Sequence, residues 1–217
     1  MGSGFTTFTA GNVLTASEVN NYLMEQSVMV FATTGARDSA ITAPENGMLC
    51  YVTGTGLYYT YVTSAWISSA GDVIQTVSTF KNDIYTHSTT TTATDITGMS
   101  VAITPRSTTN KVLITASVAL SNSTVAMTTA NLLRGSTKIA QPATGASPDA
   151  ATFSAPTLDN RDIKVVSSTY LDSPATTAST TYKIQIVTGA GTGYVNRRGD
   201  SATYTTVSTI TAQEISA

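Results

Sequence analysis

Apolar and polar positions change period once along the chain, and the change divides it. From Val13 to Ala32, "VLTASEVNNYLMEQSVMVFA", the residues Val19, Tyr22, Leu23, Gln26 and Met29 recur at helical spacing, with Glu18, Asn21 and Glu25 on the other faces. Thr15 with Glu18 three residues on makes a capping box, and Leu14 with Val19 a hydrophobic staple, so the spacing predicts a helix starting near Thr15. A lone helix of about 12–15 residues is marginal in water. Its apolar stripe must be buried, on this chain or on a neighbour.

After the helix the signals turn to strand. The segment 33–47, "TTGARDSAITAPENG", carries Gly35, Pro44, Asn46 and Gly47 and reads as a connection. Three short strands then fall at Met48–Val52, Leu57–Val62 and Ala65–Ser68, divided by "TGTG" and "TS". This small meander holds Tyr51, Tyr58, Tyr59, Tyr61 and Trp66, more aromatic surface than so small a sheet buries alone. Beyond Gly71 strands are expected at Val73–Phe80, Ile96–Thr104, Lys111–Ser121, Met127–Leu133, Thr137–Gln141, Asp162–Asp172, Thr181–Thr188, Gly193–Asn196 and Thr203–Ile215. In "KVLITASVAL" Val112, Ile114, Ala116, Val118 and Leu120 share one side; in "YKIQIVTG" Ile184 and Ile186 do. Val207 falls off the parity of Ile210, which marks a bulge or a change of face. The segment 141–160, with Pro142, Pro148 and Pro156, reads as a long loop. The expected fold is mainly β: an N-terminal helix segment (1–35), a small β-meander (36–70) and a distal antiparallel β-sandwich of jelly-roll type (71–217).

Composition sharpens this. Of 217 residues 41% are hydrophobic, enough for a core, but only 11% are charged, against about 25% in ordinary soluble domains. The polar surface is therefore built from hydroxyls and amides, which suits pleated sheet and assembly. Net charge is −2 with Lys and Arg scattered, which argues against nucleic acid as a partner. No window approaches the ~20 apolar residues of a membrane span, and the N-terminal "MGSGFTTFTAGN" lacks the plan of a secretion signal. Cys50 is the single cysteine, so stability comes from packing and assembly, as in a protein made in a reducing cytoplasm.

The run "FTAGNVLTASEVNNYLMEQSVMVFA", followed by "PENGMLCYV" and "GLYYTYVTSAW", resembles the start of many tailed-bacteriophage structural proteins of the tail-fibre, minor-tail and virion kinds. The distal stretches "TDITGMSVAITPRSTTNKVLITASV", "STYLDSPATTASTTYKIQI" and "STITAQEI" resemble the distal β-domain of phage fibres. The resemblance implies a homotrimeric virion fibre, made in the host bacterial cytoplasm, with other virion proteins as partners and no cofactor. In this frame the stripe Val19, Tyr22, Leu23 and Met29 is the attachment and oligomerisation element; the alternative is a helix that covers one end of its own sheet. Tail fibre is the first reading, head fibre or capsid decoration the second, and a glycan-cleaving tailspike the third.

Catalytic signals are thin. His87 is the one histidine, in "YTHSTTTT", and reads as a solvated loop residue; no His or Cys cluster is present to hold zinc. "GAGTGY", Gly189 to Tyr194, looks like a dinucleotide loop but opens no helix, so a hairpin turn is expected. Asp159, Asn160 and Asp162 offer oxygen ligands without a full calcium loop, and capped turns with local ion pairs to Arg161 are the simpler reading. With 13 acidic residues dispersed and no repeat, a glycosidase pair is not evident and a non-enzymatic protein is expected. Tyr194, Asn196, Arg197 and Arg198, in a turn between late strands, make a candidate receptor-binding set for host surface glycan. The competing reading packs Tyr194 beneath the turn and leaves the arginines solvated.

Overall fold

In the computed structural model, residues 10–19, 27–88, 92–143 and 151–217 are described. Two compact units divide the chain, Met1–Gly71 and Asp72–Ala217.

The first unit opens with α1 (Ala16–Val19), immediately after Thr15, whose carbonyl accepts the Val19 N–H at 3.0 Å. Tyr22 and Leu23 lie outside the described residues. Met29 departs from the helical expectation: it begins strand β1 (Met29–Phe31). A short apolar run such as "VMVF" fits helix and buried strand equally by periodicity, and pairing decides it. β1 lies parallel to β2 (Leu49–Val52), Met29 opposite Cys50 and Phe31 opposite Val52. This pairing crosses residue 35, so β1 and the strands that follow belong to one sheet.

Parallel neighbours need a crossover, and an α-helix usually supplies it. Here it is α2 (Thr34–Ala40), inside the segment expected to be irregular; Thr33 is its N-cap, accepting the Ala36 N–H at 3.1 Å. The meander continues through β3 (Leu57–Val62) and β4 (Ala65–Ser68), giving sheet order β1-β2-β3-β4. Thr63 and Ser64 close the last hairpin at φ 48° and 70°, the left-handed pair that a two-residue I′ turn requires.

The two faces of this sheet differ. On one, α2 lays the buried Arg37 guanidinium 4.9 Å from the Tyr59 ring and 4.7 Å from Trp66, with Asp38 2.7 Å away. Register places Val30, Tyr51, Tyr58, Thr60, Val62 and Ile67 on the other. None is charged, yet Val30 is 64% and Ile67 56% exposed, with Tyr58 and Val62 also exposed.

The second unit is an antiparallel sandwich. Its first sheet contains β5 (Val73–Lys81), β6 (Tyr85–His87), β8 (Lys111–Asn122), β12 (Lys164–Asp172), β14 (Gly193–Val195) and β15 (Ser208–Ile215). Its second contains β7 (Thr94–Ile103), β9 (Met127–Arg134), β10 (Thr137–Ile139), β11 (Phe153–Pro156) and β13 (Thr180–Thr188). The long strands run β5-β15-β8-β12 in one sheet and β7-β13-β9 with β10 and β11 in the other, the alternation of a jelly roll. β11 was not expected. Pro156 is tolerated there because it ends the strand, on an edge.

The core follows the alternation. Val112, Ile114, Val118, Leu120, Ile184 and Ile186 are fully buried between the sheets. In β7 both Ile96 and Met99 face inward, which breaks period two. Pairing with β13 slips between Lys183, opposite Ser100, and Gln185, opposite Asp95; the extra residues form a bulge containing Gly98 at φ 82°. The expected irregularity at Val207 takes another form: β15 starts one residue later, at Ser208, and Val207 is exposed.

Outward positions of the first sheet explain the hydroxyl-rich composition. Thr115 pairs with Thr169 at 3.4 Å, Ser117 with Ser167 at 3.2 Å and Ser78 with Thr211 at 2.8 Å, cross-strand contacts of the kind that stabilise sheets without charge. Among the described residues no helix is long and apolar enough to cross a membrane.

Candidate ligand-facing site

β14 and β15 run in the same direction along β8, and residues 196–207 leave the sheet between them. The base of this excursion is closed by polar groups. Asn196, at φ 64°, donates its N–H to Ala119 O at 3.0 Å, and Nδ2 to Lys81 O at 3.0 Å and Asp83 O at 3.1 Å. Its Oδ1 accepts the Ser208 hydroxyl at 2.6 Å, and Ser208 Oγ accepts the Ala119 N–H at 3.0 Å. Asn196 thus braces two strand interruptions together, that between β14 and β15 and that between β5 and β6. It is fully buried, so its place in the receptor-binding set is corrected: every side-chain hydrogen-bonding group is already used.

Past Asn196 the excursion is a narrow ribbon. Arg197 bridges Thr205, the Arg198 N–H donates to Tyr204 O at 3.1 Å, and the Thr206 N–H to Asn196 O at 3.1 Å. Gly199 turns tightly beneath, where a β-carbon would collide with the Asn122 carbonyl oxygen. Successive residues of such a ribbon point to opposite sides, so Arg197 and Arg198 do not share a face.

On one side the Arg197 guanidinium lies 4.1 Å from the centre of the half-buried Tyr194 ring. Its Nε donates to Arg198 O at 2.8 Å and Nη2 to Gly199 O at 3.4 Å. On the other, Arg198 lies 4.3 Å from the Tyr204 ring centre and 2.8 Å from Asp200. Arg161 approaches the same carboxylate at 3.8 Å, and the Asp200 N–H donates to Asn160 O at 3.0 Å. Cation–aromatic stacking of this sort holds rings in fixed orientation. Tyr204 and Asp200 were not singled out from sequence, and Arg161 was read there only as a local ion-pair partner. The off-parity Val207 was the available signal, since it marks where regular strand begins.

Other candidates resolve differently. His87 is not a loop residue: it lies in β6, buried, with Nδ1 2.9 Å from the Thr94 hydroxyl. Gly189 to Tyr194 is no hairpin, because β13 and β14 belong to different sheets; it is a corner between them, tied by Asn122 Nδ2 to Ala190 O at 2.9 Å. Asp159 caps its own turn by accepting the Arg161 N–H at 3.0 Å, and Asp162 pairs with Lys164 at 3.5 Å, so the Arg161 guanidinium finds its carboxylate in Asp200 rather than locally. Among the described residues no three His, Cys, Asp or Glu side chains gather as metal ligands would. Cys50 is buried in β2, and burial raises its thiol above the ordinary pKa despite the opposing charge of Arg37. Val19 is half-buried at the end of α1, and Met29 is half-buried in the first sheet.

Two buried carboxylates belong to the scaffold. Asp172 accepts the Tyr182 hydroxyl at 2.6 Å and Arg134 Nη1 at 3.0 and 2.9 Å; burial, that hydrogen bond and the carboxylate charge push the phenol far above its usual pKa. Glu214 accepts Asn110 Nδ2 at 2.6 Å, the Arg106 N–H at 2.6 Å and Gln75 Nε2. Burial opposes its ionisation, but the donors from Asn110, Gln75 and Arg106 outweigh it and hold the carboxyl below the ordinary range.

No protein-family model and no curated protein matches the chain. Among solved structures it is similar to a structure of the infectious bursal disease virus Gt strain, at 13% identity and TM-score 0.40, over 86% of this chain and 54% of that one. The VP2 subviral particle of the same virus matches at 13% identity and TM-score 0.37, over 74% and 44%, and the Gx strain structure at 13% and 0.35, over 85% and 57%. The chain spans about half the length of these viral proteins.

Proposed function

We propose that this chain is a structural component of a bacteriophage virion: a homotrimeric tail fibre that attaches through its N-terminal unit and offers its jelly roll for host-surface recognition. The observation that carries the assembly half is the uncharged outer face of the first sheet, where Val30, Tyr58, Val62 and Ile67 stand exposed in the single chain. Exposed apolar surface of this extent marks interaction sites. Copies of the same chain are the occupants the fibre resemblance implies, and a face without charge meets no like-charge opposition across a symmetry axis.

Two of the acids serve the structure. Asp172 and Glu214 are buried and fully engaged by donors of the scaffold, which leaves neither to serve as acid or base. The recognition half rests on the 196–207 excursion, which beyond its buried base at Asn196 carries Tyr204 and the Arg198 guanidinium.

Native mass spectrometry of the full chain tests the assembly. A trimer is expected, and paired Tyr58→Asp and Ile67→Asp changes should dissociate it while the sandwich keeps its own thermal transition; a monomeric native chain would overturn the reading. A label fused after Ala217, located on intact particles, separates tail from head: label around the head would replace tail fibre by head fibre or capsid decoration.

A further inference from the structure

The outer face of the sandwich's first sheet is four strands wide and free of charge. Register aligns three successive rows across β5-β15-β8-β12, running from Phe80 to Ser167, from Ser78 to Thr169 and from Thr76 to Leu171, and no position in them is acidic or basic. The first charge comes one row further on, where Lys111 turns its amine to Ser173 Oγ at 2.9 Å. The outer face of the second sheet differs, with Asp95 and Lys183 paired at 2.7 Å. Within the uncharged rows the hydroxyls bond one another, Ser78 to Thr211, Thr115 to Thr169 and Ser117 to Ser167. These groups keep their partners when water is displaced, so covering them strands none of them. Apolar side chains stand on the two flanks instead: Phe80, 60% exposed, on β5, and Val165 and Leu171, 59% and 50% exposed, on β12. Both flanking strands are nine residues long and carry charge only at their ends, Lys81 in the one, Lys164 and Asp172 in the other. Long edges of this kind are normally charged or covered.

Resting on the homotrimer reading above, we infer that this face is the surface through which the sandwiches of three copies close a ring, the β5 flank of one copy lying on the β12 flank of the next. The flanks match in height. Phe80 stands in the row of Ser167, one pleat of about 7 Å from Val165, and Val73, also exposed, stands one row from Leu171. Two different edges that meet in this way make a head-to-tail contact, which closes into a ring under rotation. The central hydroxyls then face the axis, where like charges would otherwise converge. Four strands about 4.8 Å apart and nine residues long span roughly 600 Å² in plane. Side-chain relief raises the accessible area towards the roughly 800 Å² that each partner contributes to a stable interface. The charged outer face of the second sheet is no substitute, because covering it would desolvate the Asp95–Lys183 pair.

The test is cross-linking of the full-length protein with a short bis-maleimide, read on a denaturing gel beside native mass spectrometry. Phe80→Cys combined with Ser167→Cys should yield covalent trimer. The native chain, whose Cys50 is buried, should yield none, and neither should Phe80→Cys alone or the pair Ala102→Cys with Lys138→Cys on the second sheet. Thr115→Lys brings three like charges to the axis and should raise the concentration for half-assembly by roughly tenfold or more, whereas Ala102→Lys should leave it unmoved. A native trimer that the Phe80–Ser167 pair fails to cross-link, or that Thr115→Lys leaves unshifted, overturns this surface and leaves assembly to the first unit. Covalent dimer from Phe80→Cys alone overturns the ring in favour of a two-fold pair. A native chain that is monomeric at every concentration overturns the homotrimer reading itself, and this surface with it.

Discussion

At the scale of single residues, the polar groups buried in the sandwich carry as much of its specificity as the apolar ones. Along β15 the inward stripe is Ser208, Ile210, Ala212 and Glu214, two apolar residues between two polar ones. Each polar end is saturated. All three groups facing Glu214 are donors, so Glu214→Gln points an amide N–H₂ at donors and should cost about 2–3 kcal/mol in urea unfolding. The same contacts set a pH dependence. Since the folded-state pKa lies below the unfolded value of about 4.3, ionised Glu214 contributes fully above that value. The contribution fades as pH falls through the folded pKa. Stability should therefore decline on acidification below about pH 4 in the native protein and decline less in Glu214→Gln. Asn196→Ala should be similarly severe, about 2–4 kcal/mol, because it strands the Lys81 and Asp83 carbonyls and places alanine at φ 64°. Arg197→Ala, which loses the contact with the Tyr194 ring and the hydrogen bonds to the Arg198 and Gly199 carbonyls, should cost about 1–2 kcal/mol.

Among elements, hairpin chemistry is the most instructive. Thr63 and Ser64 occupy left-handed φ, where a β-branched residue is disfavoured. Thr63→Asn with Ser64→Gly should raise the melting temperature of the first unit, by about 1–2 kcal/mol in stability; an unchanged transition would show that the Thr63 N–H bond to Asn46 Oδ1 already fixes the turn. Elements whose side-chain period matched their burial were legible in sequence: the meander strands and the long sandwich strands fall within a few residues of expectation. Those that escaped are short or depend on partners far along the chain. Met29–Phe31 is strand only because β2 lies beside it, and α2 exists because that parallel pair needs a crossover. His87 is buried because β6 pairs with β14, whose sequence lies a hundred residues on. The excursion shows the same division. "GYVNRR" displayed its aromatic and cationic character openly, but Asn196 became a brace through carbonyls 115 and 113 residues earlier, and Tyr204 joined Arg161 through a shared Asp200.

At the scale of the whole chain, the two units differ in self-sufficiency. The sandwich closes its own core between two sheets, and its N-terminal strand β5 is locked by the C-terminal β15. A polypeptide from Asp72 to Ala217 should therefore unfold in one cooperative transition, followed by calorimetry; a broad transition with rapid proteolysis would count against the unit boundary at Gly71. The first unit keeps an uncharged face toward solvent, and its stability should rise with protein concentration when its copies supply the missing contact. Dilution that leaves its melting temperature unmoved would argue against self-association.

The pinch between Asn196 and Ser208 has one more consequence. Because the hydrogen bonds that close the excursion lie at its base, and β14 and β15 take their register from β8 on either side, the residues beyond Thr205 and Arg197 are not needed to keep the two strands in line. The tip is thus a natural cassette. Foreign peptide inserted between Asp200 and Thr203 should be displayed without shifting any strand of the sandwich, so the tip can be replaced while both sheets stay as they are.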